Sequence, residues 1–128
     1  MLRKLGLGLL GFTLLFTTNA FAMRTIPFSQ TAAIEFELKP NDPLVLVNFF
    51  FWSIKATCTV SSETEDNPVL VKALRKSGTI NEMELVEGDT RSFNFKNRES
   101  FTVSAVSGAK VEFVNQGEKP IKAICTPG

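Results

Sequence analysis

Beyond residue 30 apolar and polar positions alternate with a period of two through most of the chain. Ile34-Glu35-Phe36-Glu37-Leu38 predicts a half-buried strand with Glu35 and Glu37 on its wet face. Lys39-Pro40-Asn41-Asp42-Pro43 breaks it, because two prolines around Asn-Asp favour a turn. Leu44 to Val47 is a continuous apolar run, as a strand buried on both faces would be. In the next strand Ile54, Ala56, Cys58 and Val60 share one face, with Ser53, Lys55, Thr57 and Thr59 on the other. Ser61 to Pro68 reads as a polar, acidic loop.

The second half continues in the same manner. Val69 to Leu74 favours strand over helix because it is short and opens on β-branched residues. Ser77-Gly78 reads as a turn, Met83 and Leu85 alternate with their polar neighbours, and Glu87-Gly88-Asp89-Thr90 turns the chain again. Phe93 and Phe95, then Phe101, Val103 and Ala105, then Val111 and Phe113, and last Ile121, Ala123 and Cys125 mark further strands. Eight or nine short strands with no helical period predict an all-β fold, a two-layer antiparallel sandwich of immunoglobulin-like or jelly-roll-like type.

Residues 1–22 follow a different pattern. Arg3 and Lys4 precede a twelve-residue apolar core, Leu5 to Phe16, and Thr17 to Ala22 ends in a small-x-small site. The core is shorter than the roughly 20 residues a spanning helix needs. A cleavable export signal is therefore expected over 1–22, with one sandwich domain over 23–128 and no transmembrane segment in the mature form. The address is periplasmic or secreted. The two cysteines, Cys58 and Cys125, fit an oxidising compartment and predict one disulfide. It would close a loop of 67 residues, which contributes about 4 kcal/mol in the chain-entropy model.

One segment repeats. Val47-Asn48, five residues, then Ile54-Lys55-Ala56-Thr57-Cys58-Thr59 returns 67 positions later as Val114-Asn115, five residues, then Ile121-Lys122-Ala123-Ile124-Cys125-Thr126. Seven of thirteen positions are identical. Two core strands in similar surroundings could resemble each other by chance; otherwise the copies are pseudo-symmetric halves of one sandwich. In the second copy the five linking residues, Gln116 to Pro120, are polar; in the first they are Phe49-Phe50-Phe51-Trp52-Ser53. If the copies share a backbone, these aromatics sit on a surface turn and mark a contact with a protein or an apolar ligand. If the strand simply continues, Phe50 and Trp52 join the core beside the disulfide. Only Phe49 and Phe51 then face outward, where the segment around Ile26 and Phe28 could cover them.

Composition narrows the chemistry. The chain carries 14 Lys+Arg and 13 Asp+Glu, and loss of Arg3 and Lys4 leaves 12 against 13, a net of −1. That balance argues against a nucleic-acid partner. There is no His, which removes imidazole-based triads and most zinc sites. The carboxylate pairs Glu35/Glu37 and Glu82/Glu84 have i, i+2 spacing, which puts both members on a solvated strand face, poor ground for general acid–base work. Ser62 to Asn67 alternates oxygen side chains but lacks the ordered spacing of a calcium loop. Lys72, Arg75 and Lys76 read as solvated surface. No catalytic residue, metal or cofactor is expected.

The signal, the Gly78-Thr79-Ile80-Asn81 turn, Glu87-Gly88-Asp89-Thr90 and the paired IKA-x-C-T strands together resemble small exported proteins of Gram-negative bacteria. The resemblance implies a periplasmic or secreted location and carries over no site. The expected function is an exported, non-enzymatic binding module, host- or surface-interacting, using Phe49, Phe50, Phe51 and Trp52. A monomer is expected over an assembly. The alternative is a pilin-like structural subunit that exchanges the strand Thr25 to Phe36.

Overall fold

The structure, a computed structural model, describes residues 24–29 and 32–128. The export signal expected over 1–22 lies outside the described residues. The described residues form eleven strands: β1 (Arg24–Pro27), β2 (Ile34–Leu38), β3 (Leu44–Val47), β4 (Ile54–Ser62), β5 (Asp66–Arg75), β6 (Gly78–Ile80), β7 (Met83–Leu85), β8 (Thr90–Lys96), β9 (Ser100–Ala105), β10 (Lys110–Asn115) and β11 (Ile121–Pro127). They form two facing sheets, β1-β3-β10-β5-β8 and β2-β11-β4-β9-β6-β7. All pairings are antiparallel except β1 with β3. The expected all-β sandwich is what the chain forms.

Alternation fixes which residues fill the space between the sheets. Ile54, Ala56, Cys58 and Val60 are buried in the core while Lys55, Thr59 and Ser61 are exposed. β3 is buried at all four positions, with Leu44 and Leu46 in the core and Val45 and Val47 buried outside it. Phe95 of β8 stacks on Phe101 of β9 at 4.3 Å between ring centroids, locking one sheet to the other. Cys58 and Cys125 stand directly opposite each other on β4 and β11 and are bonded. The disulfide thus joins neighbouring strands within one sheet.

Two strands exceed the expected eight or nine. Gly78–Ile80, expected as a turn, pairs with β9 and β7. A side chain at Gly78 would run into the Ser104 carbonyl oxygen, so the close approach of β9 requires glycine there. Arg24–Pro27 adds a short parallel edge beside β3. The polar loop expected over Ser61 to Pro68 shrinks to residues 63–65, because Asn67 is buried and donates to the Thr64 and Phe95 carbonyls. Its Oδ1 accepts from the Ser62 and Thr64 hydroxyls, so the hairpin's side-chain oxygens bond one another.

The internal repeat extends over the architecture. A shift of 67 residues carries β1, β2, β3 and β4 onto β8, β9, β10 and β11. The registers repeat as well: Ile54 faces Ala105, and Ile121 faces Leu38, which are the same pair seen twice. Cys58–Cys125 and Val45–Glu112 are self-equivalent pairs, so a pseudo-two-fold axis passes through both. β5 intervenes between β10 and β8 where the first half has β1 directly against β3, and β6 and β7 extend the β9 edge. Outside the thirteen-residue match, Arg24/Arg91 and Phe28/Phe95 keep the same residue at equivalent places.

Candidate functional site

The axis places two equivalent crossovers, β3 to β4 and β10 to β11, at opposite ends of the sandwich. Each begins at a wholly buried asparagine. Asn48 Oδ1 accepts from the Phe50 amide at 2.9 Å, and its Nδ2 donates to the carbonyls of Trp52 at 2.9 Å and Ala105 at 3.0 Å. Asn115 does the same on the neighbouring strand, at its opposite end: Oδ1 accepts from the Gly117 amide at 2.8 Å, and Nδ2 donates to the carbonyls of Lys119 at 2.7 Å and Leu38 at 2.9 Å. A short side chain with an acceptor and a two-proton donor suits this arch, closing the turn and tying it to the neighbouring strand.

The aromatic arch has further ties. Asn48 donates its backbone amide to Ala109 and accepts from the Gly108 amide, and the Ser107 hydroxyl donates to the Phe50 carbonyl at 2.7 Å. The backbone is therefore fixed while its side chains diverge. Phe50 turns inward against the core and stacks on Trp52 at 5.3 Å. Phe49, Phe51 and Trp52 are 68%, 92% and 50% exposed.

This corrects the reading that continued the strand and buried Trp52. Asn48 ends the pleat, so period two stops there and Phe50 alone reaches the core. Phe28, expected as a cover, is buried in the core, and Ile26 packs against it. Phe51 stays bare.

The same end carries Val86 and Val106, both exposed. Beneath the arch lies a cleft of about 220 Å³ bounded by Phe49, Phe51, Arg75, Ser107 and Lys110. Arg75 and Lys110 are register partners on β5 and β10. The Lys76 ammonium lies beside Gly108, on the same turn. Lys72, Arg75 and Lys76 are all exposed, as read from the sequence; Arg75 in addition lines the cleft together with Lys110. Sequence reasoning missed Lys110 and Ser107, which no local pattern marks. It also passed over Asn48 as a clamp, although an Asn kept ahead of two unrelated linkers was the available signal.

The carboxylate pairs stay apart from this site. Glu35 and Glu37 lie on the outer face of β2, and Glu82 occupies the β6–β7 turn with φ 68° beside exposed Glu84. Among the described residues no group of three or more metal-ligating side chains converges, and no helix is long and apolar enough to cross a membrane. No protein-family model, curated protein or solved structure matches the chain.

Proposed function

We propose that this protein is an exported, non-enzymatic binding module whose contact surface is the arch Phe49, Phe50, Phe51 and Trp52. The observation that carries the reading is the exposure of three large aromatics on a backbone held by hydrogen bonds from a buried asparagine. Soluble proteins rarely leave such a patch unless something covers it. Rigidity adds to the case, since a preorganised loop loses little entropy on binding. The signal pattern of residues 1–22 and the disulfide support export, and the lack of His supports binding over catalysis.

Replacing Phe49 and Phe51 together by Ser tests the reading. Binding of an apolar fluorescent probe should fall while the melting temperature holds within a few degrees. A large loss of stability with unchanged probe binding would instead make these rings structural. The pilin-like alternative finds less support, because β1 and β2 both pair within their own chain. Size-exclusion chromatography is expected to return a monomer; polymers or an unstable isolated subunit would favour strand exchange.

A further inference from the structure

We infer that the occupant of the aromatic arch is the surface of an anionic phospholipid bilayer; this rests on the binding-module reading and names its partner. Five exposed apolar side chains, Phe49, Phe51, Trp52, Val86 and Val106, gather at one end of the sandwich. Arg75 and Lys110 are register partners at a β-bulge behind them and both line the cleft, so two cations face one space where an anion would be attracted. Among the described residues neither is ion-paired with a carboxylate. Glu87 and Asp89, the carboxylates of the adjoining turn, accept from the backbone amides of Lys76 and Val86. Apolar tips with a cationic collar bind anionic membranes through both terms at once.

The arch backbone suits a shallow seat at the headgroup level. The Phe50 amide, the Phe50 carbonyl and the Trp52 carbonyl are bonded within the protein. The Phe49 and Phe51 peptide groups at the crest make no such bond among the described residues and need water or headgroups beside them. Trp52, half exposed and stacked on Phe50, has the amphipathic ring that settles at the headgroup level. Phe51 would go deepest, and lipid phosphates would meet Arg75 and Lys110 in the cleft.

Trp52 is the only tryptophan in the chain, so its fluorescence reports from the site itself. The exported protein is titrated with vesicles of phosphatidylcholine alone and with phosphatidylglycerol added, with co-sedimentation as a second readout. A blue shift and co-sedimentation with the anionic vesicles are expected. R75Q/K110Q should weaken anionic binding roughly thirty-fold, from about 1 kcal/mol per basic residue. F49S/F51S should weaken it about ten-fold or more, with both variants still melting as the wild type does. Wild type that neither shifts nor sediments, or binding that survives F49S/F51S, overturns the proposal. If vesicles fail while the apolar probe still distinguishes wild type from F49S/F51S, the arch serves another partner, such as a protein pocket, and the broader reading stands. If the probe fails as well, both fall.

Discussion

The two arches share a clamp and differ in everything the clamp presents. Asn48 and Asn115 share three hydrogen bonds to equivalent atoms at opposite ends of the molecule, and Asn48 adds a fourth to the Val106 carbonyl. One arch then displays Phe49, Phe51 and Trp52, the other Gln116, Glu118 and Lys119. Their surroundings differ in the same sense. Both ion pairs found among the described residues, Arg24–Asp42 and Lys96–Asp66, lie at the polar arch's end, whereas Arg75 and Lys110 at the aromatic end have no carboxylate partner there. The fold needs the asparagine and the backbone path. It does not need aromatics at the crest, since the polar copy closes without them. That contrast supports assigning the aromatic crest to binding.

The comparison depends on the two halves being one cooperative unit, and the disulfide sits on the axis between them. C58S/C125S is expected to cost about 4 kcal/mol, the chain-entropy value for a loop of this length. Urea unfolding of wild type and variant measures it. A loss well under 1 kcal/mol would mean that sheet pairing alone holds the halves in register.

Equivalence of the clamps predicts equal penalties. Asn48→Ala and Asn115→Ala each strand buried carbonyls and a turn amide, which should cost about 3 kcal/mol apiece. Matching losses in denaturant midpoint would support the shared role. A cheap Asn48→Ala beside an expensive Asn115→Ala would show that Ser107 and the Gly108 amide suffice to hold the aromatic arch.

Much of this was legible before any coordinate. Ile34–Leu38 falls where alternation put it, because one buried face imposes period two directly on the sequence, and Leu44–Val47 where its unbroken apolar run did, because both its faces are buried. The strands missed have other causes. Arg24–Pro27 is short, ends in proline, and pairs in parallel with a distant segment, so nothing local announces it. Gly78–Ile80 opens on a Ser-Gly dipeptide that normally turns, and only the approach of Ser104 explains the glycine. At the arch, alternation misled because Asn48 ends the strand one residue before four consecutive aromatics. The repeat was the better guide, since its polar copy already implied a turn. The cationic cleft was illegible: Arg75 and Lys110 meet only through the β5–β10 register.

A smaller effect should follow from giving the aromatic arch its partner's exposed residues. F49Q/F51E/W52K leaves Phe50, the asparagine clamp and Ser107 in place. Stability measured by urea unfolding should change by no more than about 1 kcal/mol, as for exposed positions generally, while apolar-probe binding is lost. A collapse in stability would sink the idea that the crest is free to vary.

The smallest effect belongs to the polar end. Asp66 accepts from Asn94 Nδ2 at 3.0 Å and lies 3.6 Å from the Lys96 ammonium. The Asn94 hydrogen bond first, and the Lys96 charge second, hold its carboxyl below the usual aspartate value. A folded value below the unfolded one means the carboxylate stabilises the fold above the ordinary aspartate range. That contribution fades as pH falls through the lowered value. The stability gap between wild type and Asp66→Asn should therefore be steady above about pH 5 and close on acidification. Added salt should narrow it too, because both side chains of the pair are exposed. The aromatic end offers its cations no carboxylate partner, so R75Q/K110Q should leave this acid limb unchanged. If that variant flattened the limb as much as Asp66→Asn does, the two ends would be electrostatically coupled, and the separation of a structural end from a binding end would fail.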